Sequence, residues 1–131
     1  MEISEHPGPT RVLLLEDEPL VAQFVVRGLE LDGHQIVVAE DGDVGVFLAG
    51  TEPFDVFVLD LDSPEMSDLA LLERIRHANP GSPVVVVSEL DDPQARAAYE
   101  SAGAAACLAK PLVVDDLRAA VTKQLTRQSS L

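Results

Sequence analysis

Basic residues are scarce in this chain: nine lysines and arginines stand against 23 acids in 131 residues, for a formal net charge of −14. Such a surface repels phosphate backbones and anionic lipid, which argues against direct nucleic-acid or membrane binding. Cysteine is nearly absent too. The lone Cys107 excludes an internal disulfide and fits a reducing, cytoplasmic compartment. No apolar run approaches the ~20 residues that span a bilayer, and the opening MEISEHPGPT lacks the basic-then-apolar order of a secretory signal. Aromatic residues are few, with one tyrosine and no tryptophan, yet 47% of the chain is apolar, so a disordered acidic polymer is excluded. A single soluble domain with a real core is the expectation.

What is present alternates. Five apolar runs, Val12–Leu15, Gln35–Ala39, Val56–Leu59, Val84–Val87 and Ala105–Leu108, are mostly rich in Val, Leu or Ile and do not alternate with polar residues. That pattern suits strands covered on both faces, as in a parallel sheet. The last run, AAACL, reads as a strand mainly by its position. Helical spacing fills the gaps. Leu20, Phe24 and Leu31 predict the core stripe of a first helix that starts at Pro19 and stops at Gly33. DGDVGVFLAG is a short second helix, Leu69, Leu72 and Ile75 mark a third, and Pro93 to Ala102 makes a fourth. Val114, Leu117, Val121 and Leu125 stripe a fifth. Residues 1–10 and 128–131 read as loose ends around a domain of residues 11–127. Five strand–helix alternations predict a doubly wound α/β fold: a five-stranded parallel sheet of flavodoxin-like order 2-1-3-4-5 with helices on both faces.

In that order the residues following each strand meet at one edge of the sheet. Glu16 and Asp17 follow the first strand, and Asp60 and Asp62 the third; Ser88 follows the fourth and Lys110 the fifth. Crowded carboxylates need a counter-charge, and oxygen-only donors without His or Cys favour a hard divalent ion, Mg²⁺ above all. A carboxylate flanked by such an ion, an ammonium and a hydroxyl is equipped to accept a phosphoryl group. Asp60, central among the strand tips, is the natural acceptor.

These segments resemble the receiver domains of two-component response regulators. VLLLEDEPLV is similar to their first strand and acidic pair, and FDVFVLDLDSPEMSDLALLERIR to the segment bearing their phosphoacceptor aspartate and a following proline, here Asp60 and Pro64. PVVVVSE is similar to the strand ending in a hydroxyl residue, and GAAACLAKPL to the strand ending in Lys-Pro. The resemblance implies phosphotransfer to Asp60 from a histidine kinase or phosphotransfer protein. It implies Mg²⁺ held by Glu16, Asp17, Asp60 and the backbone carbonyl of Asp62, with Ser88 and Lys110 on the phosphoryl group. It implies a signalling module rather than a turnover enzyme, beyond its own phosphorylation and autodephosphorylation. A downstream protein target follows from the same resemblance. So does a possible homodimer through the face of helix 4, strand 5 and helix 5, where Arg96, Tyr99, Glu100 and Arg118 are expected at the surface. The Lys110–Pro111 peptide is often cis in relatives.

Some positions depart from that pattern. Glu16 stands where Asp is more usual, and its longer reach admits contact through a water. Glu89 follows Ser88 where a small residue is usual, and Asp62 adds charge that has Lys110 within its choice of partners. Cys107 occupies the place of a Tyr or Phe that moves inward with the hydroxyl residue, so an altered switch is expected. Two other readings compete. A pseudo-receiver would bind partners without phosphorylation, favoured by Glu89 and Cys107. A phosphatase similar to the haloacid dehalogenases would use the Asp-x-Asp of VFVLDLDS, Val56–Ser63, although that pair normally lies on a first strand.

Overall fold

The computed structural model describes residues 9–62, 66–90 and 92–129, with side chains described through residue 127. Pro64 and most of the two predicted loose ends lie outside these residues. Elements alternate along the chain: β1 (Arg11–Leu15), α1 (Pro19–Glu30), β2 (Gln35–Ala39), α2 (Gly42–Thr51), β3 (Val56–Leu61), α3 (Met66–Ala78), β4 (Val84–Ser88), α4 (Pro93–Ser101), β5 (Ala106–Ala109) and α5 (Val114–Ser129). The strands form one sheet in the order β2-β1-β3-β4-β5, every pair parallel, as the alternation predicts. Central strands are the ones without polar alternation: all five residues of β4 are buried. The weak run AAACL is an edge strand, half-buried throughout and shifted one residue later than its composition suggests.

Strand pleating divides the core into two layers. Leu13, Leu15, Phe57, Leu59, Leu61, Val84 and Val86 face α2, α3 and α4, where they meet Ala49, Leu72, Ile75 and Tyr99. Val12, Leu14, Val56, Val58, Val85 and Val87 face α1 and α5, where they meet Ala22, Val25, Leu29, Leu117 and Val121. Helix starts are set by acids at the carboxyl rim of the sheet. The side chains of Glu18, Asp41 and Asp92 accept hydrogen bonds from the amides of Leu20, Val44 and Ala95, each such cap contributing about 1 kcal/mol. Glu18 and Asp92 are followed by Pro19 and Pro93 at a position that needs no amide hydrogen. Gly33 and Gly103 end their helices at φ +84° and +116°, where a side chain is strained.

The expected stripe of α1 is reversed. Leu20, Phe24 and Leu31 are 74%, 53% and 71% exposed, while Ala22, Val25, Gly28 and Leu29 form the buried face. At one point on this face small size is decisive. A Cβ placed on Gly28 would lie 2.2 Å from Cγ2 of Val114, so only glycine lets α1 and α5 approach this closely. In an exposed helix Gly→Ala gains roughly 1 kcal/mol, but overpacking of this kind costs roughly 1–3 kcal/mol. The β-branched Val114 is stiff about χ1 and yields little. Gly28→Ala is therefore expected to lower stability in urea unfolding. In a Val114→Ala background the same change is expected to be neutral or stabilising.

Candidate functional site at the carboxyl rim of the sheet

Parallel strands deliver their C-terminal residues to one rim, and the pleat then sorts those residues by face. Glu16 continues the alternation of Val12 and Leu14, Asp60 that of Val56 and Val58, and Lys110 that of Ala106 and Leu108. All three thus lie on the α1–α5 side. They meet there: the Lys110 ammonium is paired with Oδ1 of Asp60, both side chains being mostly buried. That oxygen has no other hydrogen-bond partner among the described residues. Glu16 is only 5% exposed, and its Oε2 accepts the amide of Glu18 at 3.1 Å.

Burial, reinforced by contact with the Asp60 carboxyl, pushes Glu16 up to about 8. For Lys110 burial works the other way, but the hydrogen bond and charge of Asp60 outweigh it and raise the ammonium above its ordinary range. Without a metal, then, the pocket lowers its own negative charge by protonating Glu16 and leaning Lys110 on Asp60. The Lys110–Pro111 peptide is cis. Asp17 and Asp62 are exposed at the mouth. Asp62 takes Asp68 as a partner, its amide donating to Oδ2 at 3.3 Å, while Lys110 goes to Asp60.

Glu16, Asp17, Asp60 and Asp62, with Asp41 and Asp68, line a cavity of about 180 Å³. Its donors are all oxygens, which suits Mg²⁺. No group of three His, Cys, Asp or Glu among the described residues is drawn together as a ready cage. Mg²⁺ keeps several waters and commonly uses only one or two carboxylates, so the residues present fit it.

Ser88 sits differently. It pairs in register with Leu61 rather than Asp60, and so belongs to the opposite pleat. Its hydroxyl is buried, 2.8 Å from the hydroxyl of Tyr99 and 3.3 Å from the Asp62 carbonyl, and it accepts the amide of Leu90 at 3.2 Å. Tyr99, expected at the surface, is wholly buried. The signal for it was its spacing three residues before Ala102, a small residue that shares its buried cluster. Arg118 also departs from the expected face: it donates to both carboxylate oxygens of Asp32, just beyond α1, at 2.8 and 3.0 Å. Cys107 packs half-buried against the α2–α4 layer.

The sequence profile of the response regulator receiver domain matches residues 12–122. The chain belongs to that family. Among relatives of this receiver, the probable transcriptional regulatory protein TcrX of Mycobacterium tuberculosis is 35% identical over 83% of this chain and 47% of its own length. The receiver thus spans about half the length of the curated relatives it matches. Among solved structures, the Francisella response regulator 1452 receiver domain is 31% identical with a TM-score of 0.81, covering 90% of this chain and 98% of that one. A response regulator from Burkholderia pseudomallei, solved with a phosphorylated aspartic acid, calcium and citrate, shares the fold at a TM-score of 0.75 and 24% identity, covering 92% of this chain and 71% of that one. No helix among the described residues is long and apolar enough to cross a membrane.

The raised Glu16 has a consequence for the metal-free receiver. Its folded value of about 8 exceeds the ordinary 4.5, so the fold holds a proton that the unfolded chain releases. That contribution is intact at acid pH and is lost as pH rises through about 8. Thermal unfolding in a chelator is expected to show a falling midpoint from pH 6 to 9, and Glu16→Gln is expected to flatten the fall.

Proposed function

We propose that this receiver accepts a phosphoryl group on Asp60 from a phosphohistidine of a kinase or phosphotransfer protein, in a Mg²⁺-dependent reaction. We further propose that it passes the signal on by protein contact in the cytoplasm. The observation that carries the reading is the Lys110 ammonium resting on the mostly buried Asp60 carboxylate, beside Glu16 and above an oxygen-lined cavity. With the ammonium on one carboxylate oxygen of Asp60, the other is the one that would attack phosphorus. The new O–P bond forms as the donor's P–N bond breaks, and the electron pair of that bond departs with the imidazole. Lys110 needs only a small shift to neutralise an oxygen of the arriving group. Mg²⁺, held by Glu16, Asp17, Asp60 and the Asp62 carbonyl, would supply the remaining positive charge against phosphoryl oxygens. The Burkholderia protein, with its phosphoaspartate and calcium, is consistent with this chemistry on the same fold.

Leu20, Val21 and Phe24 border a cavity of about 390 Å³ whose walls also include Asp60, Lys110 and Pro111. An apolar helix face beside the acceptor suits a protein donor, and the exposure of Leu20 and Phe24 then has a use. The downstream partner, or a second copy of the chain, takes the α4–β5–α5 side. The receiver takes one phosphoryl group and does not turn over substrate as an enzyme.

Incubation with Mg²⁺ and acetyl phosphate is expected to add one phosphoryl group to the wild-type protein by intact mass and none to Asp60→Asn. A wild type that stays unmodified would favour a partner-binding pseudo-receiver, and repeated hydrolysis of a generic phosphomonoester would favour a phosphatase. Phe24→Asp is expected to slow transfer from a phosphohistidine protein several-fold while leaving acetyl phosphate labelling unchanged.

A further inference from the structure

The Ser88–Tyr99 contact joins two side chains that are buried on the face of the sheet opposite Asp60. Ser88 has one hydrogen to give. With it directed at the Asp62 carbonyl, the 2.8 Å contact is filled by Tyr99 donating to Ser88. Tyr99 is wholly buried on α4, and its ring belongs to the core layer that holds Ala102 and Ala104. On β5, the side chain sharing this layer is the small Cys107.

Resting on the reading of Asp60 as phosphoacceptor, we propose that Tyr99 is the positioning residue of the switch. It holds Ser88 on the α4 side in the unphosphorylated chain. It follows Ser88 when that hydroxyl turns to a phosphoryl oxygen on Asp60, so the signal leaves through α4 and not through position 107. The physical reason is the cost of a stranded hydroxyl. To donate across the pleat, Ser88 gives up the Asp62 carbonyl and swings away from Tyr99. A buried phenol left without a partner is strongly disfavoured, so the ring must shift, and the helix that carries it shifts too. Cys107 has neither the bulk nor a strong enough donor to play this part.

The chain provides its own probe, because Tyr99 is its one tyrosine and it has no tryptophan. Near-ultraviolet absorbance and tyrosine emission therefore report on this ring. The protein is treated with Mg²⁺ and acetyl phosphate, the adduct is counted by intact mass, and the spectrum is read in parallel. The expected result is a tyrosine spectral change proportional to the adduct fraction, with the change per adduct lost in Ser88→Ala. Tyr99→Phe keeps the ring and removes the hydroxyl. It is expected to abolish the phosphorylation-induced change in hydrogen exchange along α4. A full adduct with an unaltered tyrosine spectrum, or an α4 response that survives in Tyr99→Phe, overturns the proposal while leaving Asp60 as acceptor. No adduct on the wild type overturns the reading beneath it.

Discussion

Everything at the rim turns on how the charge of Asp60 is balanced. The side chain is mostly buried at a strand tip, next to a second buried carboxyl and above a cavity lined by further acids. In a chain of net charge −14, distant residues offer no relief. The fold answers locally, by leaning the Lys110 ammonium on Asp60 and by favouring a proton on Glu16. On the proposed reading both are temporary partners. A divalent cation would displace the proton, and a phosphoryl oxygen would draw off the ammonium.

The pleat of the sheet gives that arrangement a direction. Asp60, the Lys110 ammonium and Glu16 share the α1–α5 side, where the apolar Leu20 and Phe24 are exposed. The hydroxyl of Ser88 begins on the α2–α4 side, tied to Tyr99. On the proposed reading, phosphoryl entry and readout lie on opposite faces of one sheet, with the strand tips of β3 and β4 between them. The register pairing Leu61 with Ser88, one residue beyond Asp60, produces this separation.

Much of this was legible from the residues alone. Strand order, the two-sided helical cover and the meeting of Glu16, Asp60 and Lys110 follow from uninterrupted apolar runs, each ending in a chemically capable residue. Two of the features that were not legible share one physical reason. The buried face of α1 is Ala22, Val25, Gly28 and Leu29, and at Gly28 the gap to Val114 admits nothing larger, whereas hydropathy alone gives weight to Leu20 and Phe24. Tyr99 reads as a surface residue by its hydroxyl, yet its ring is wholly buried in the layer that holds Ala102, Ala104 and Leu72. In both places the size of the space between elements outweighs the character of the side chain, and that space exists only once the helices are seated.

The most direct test of the charge-balance account is a crystal structure grown with Mg²⁺ and beryllium fluoride, which mimics an aspartyl phosphate. The account predicts a metal bound by Asp60 with Glu16 or Asp17 directly or through water, and Lys110 withdrawn from the carboxylate to touch a fluorine. A cavity without metal, with Lys110 still paired to an unmodified Asp60, would contradict it.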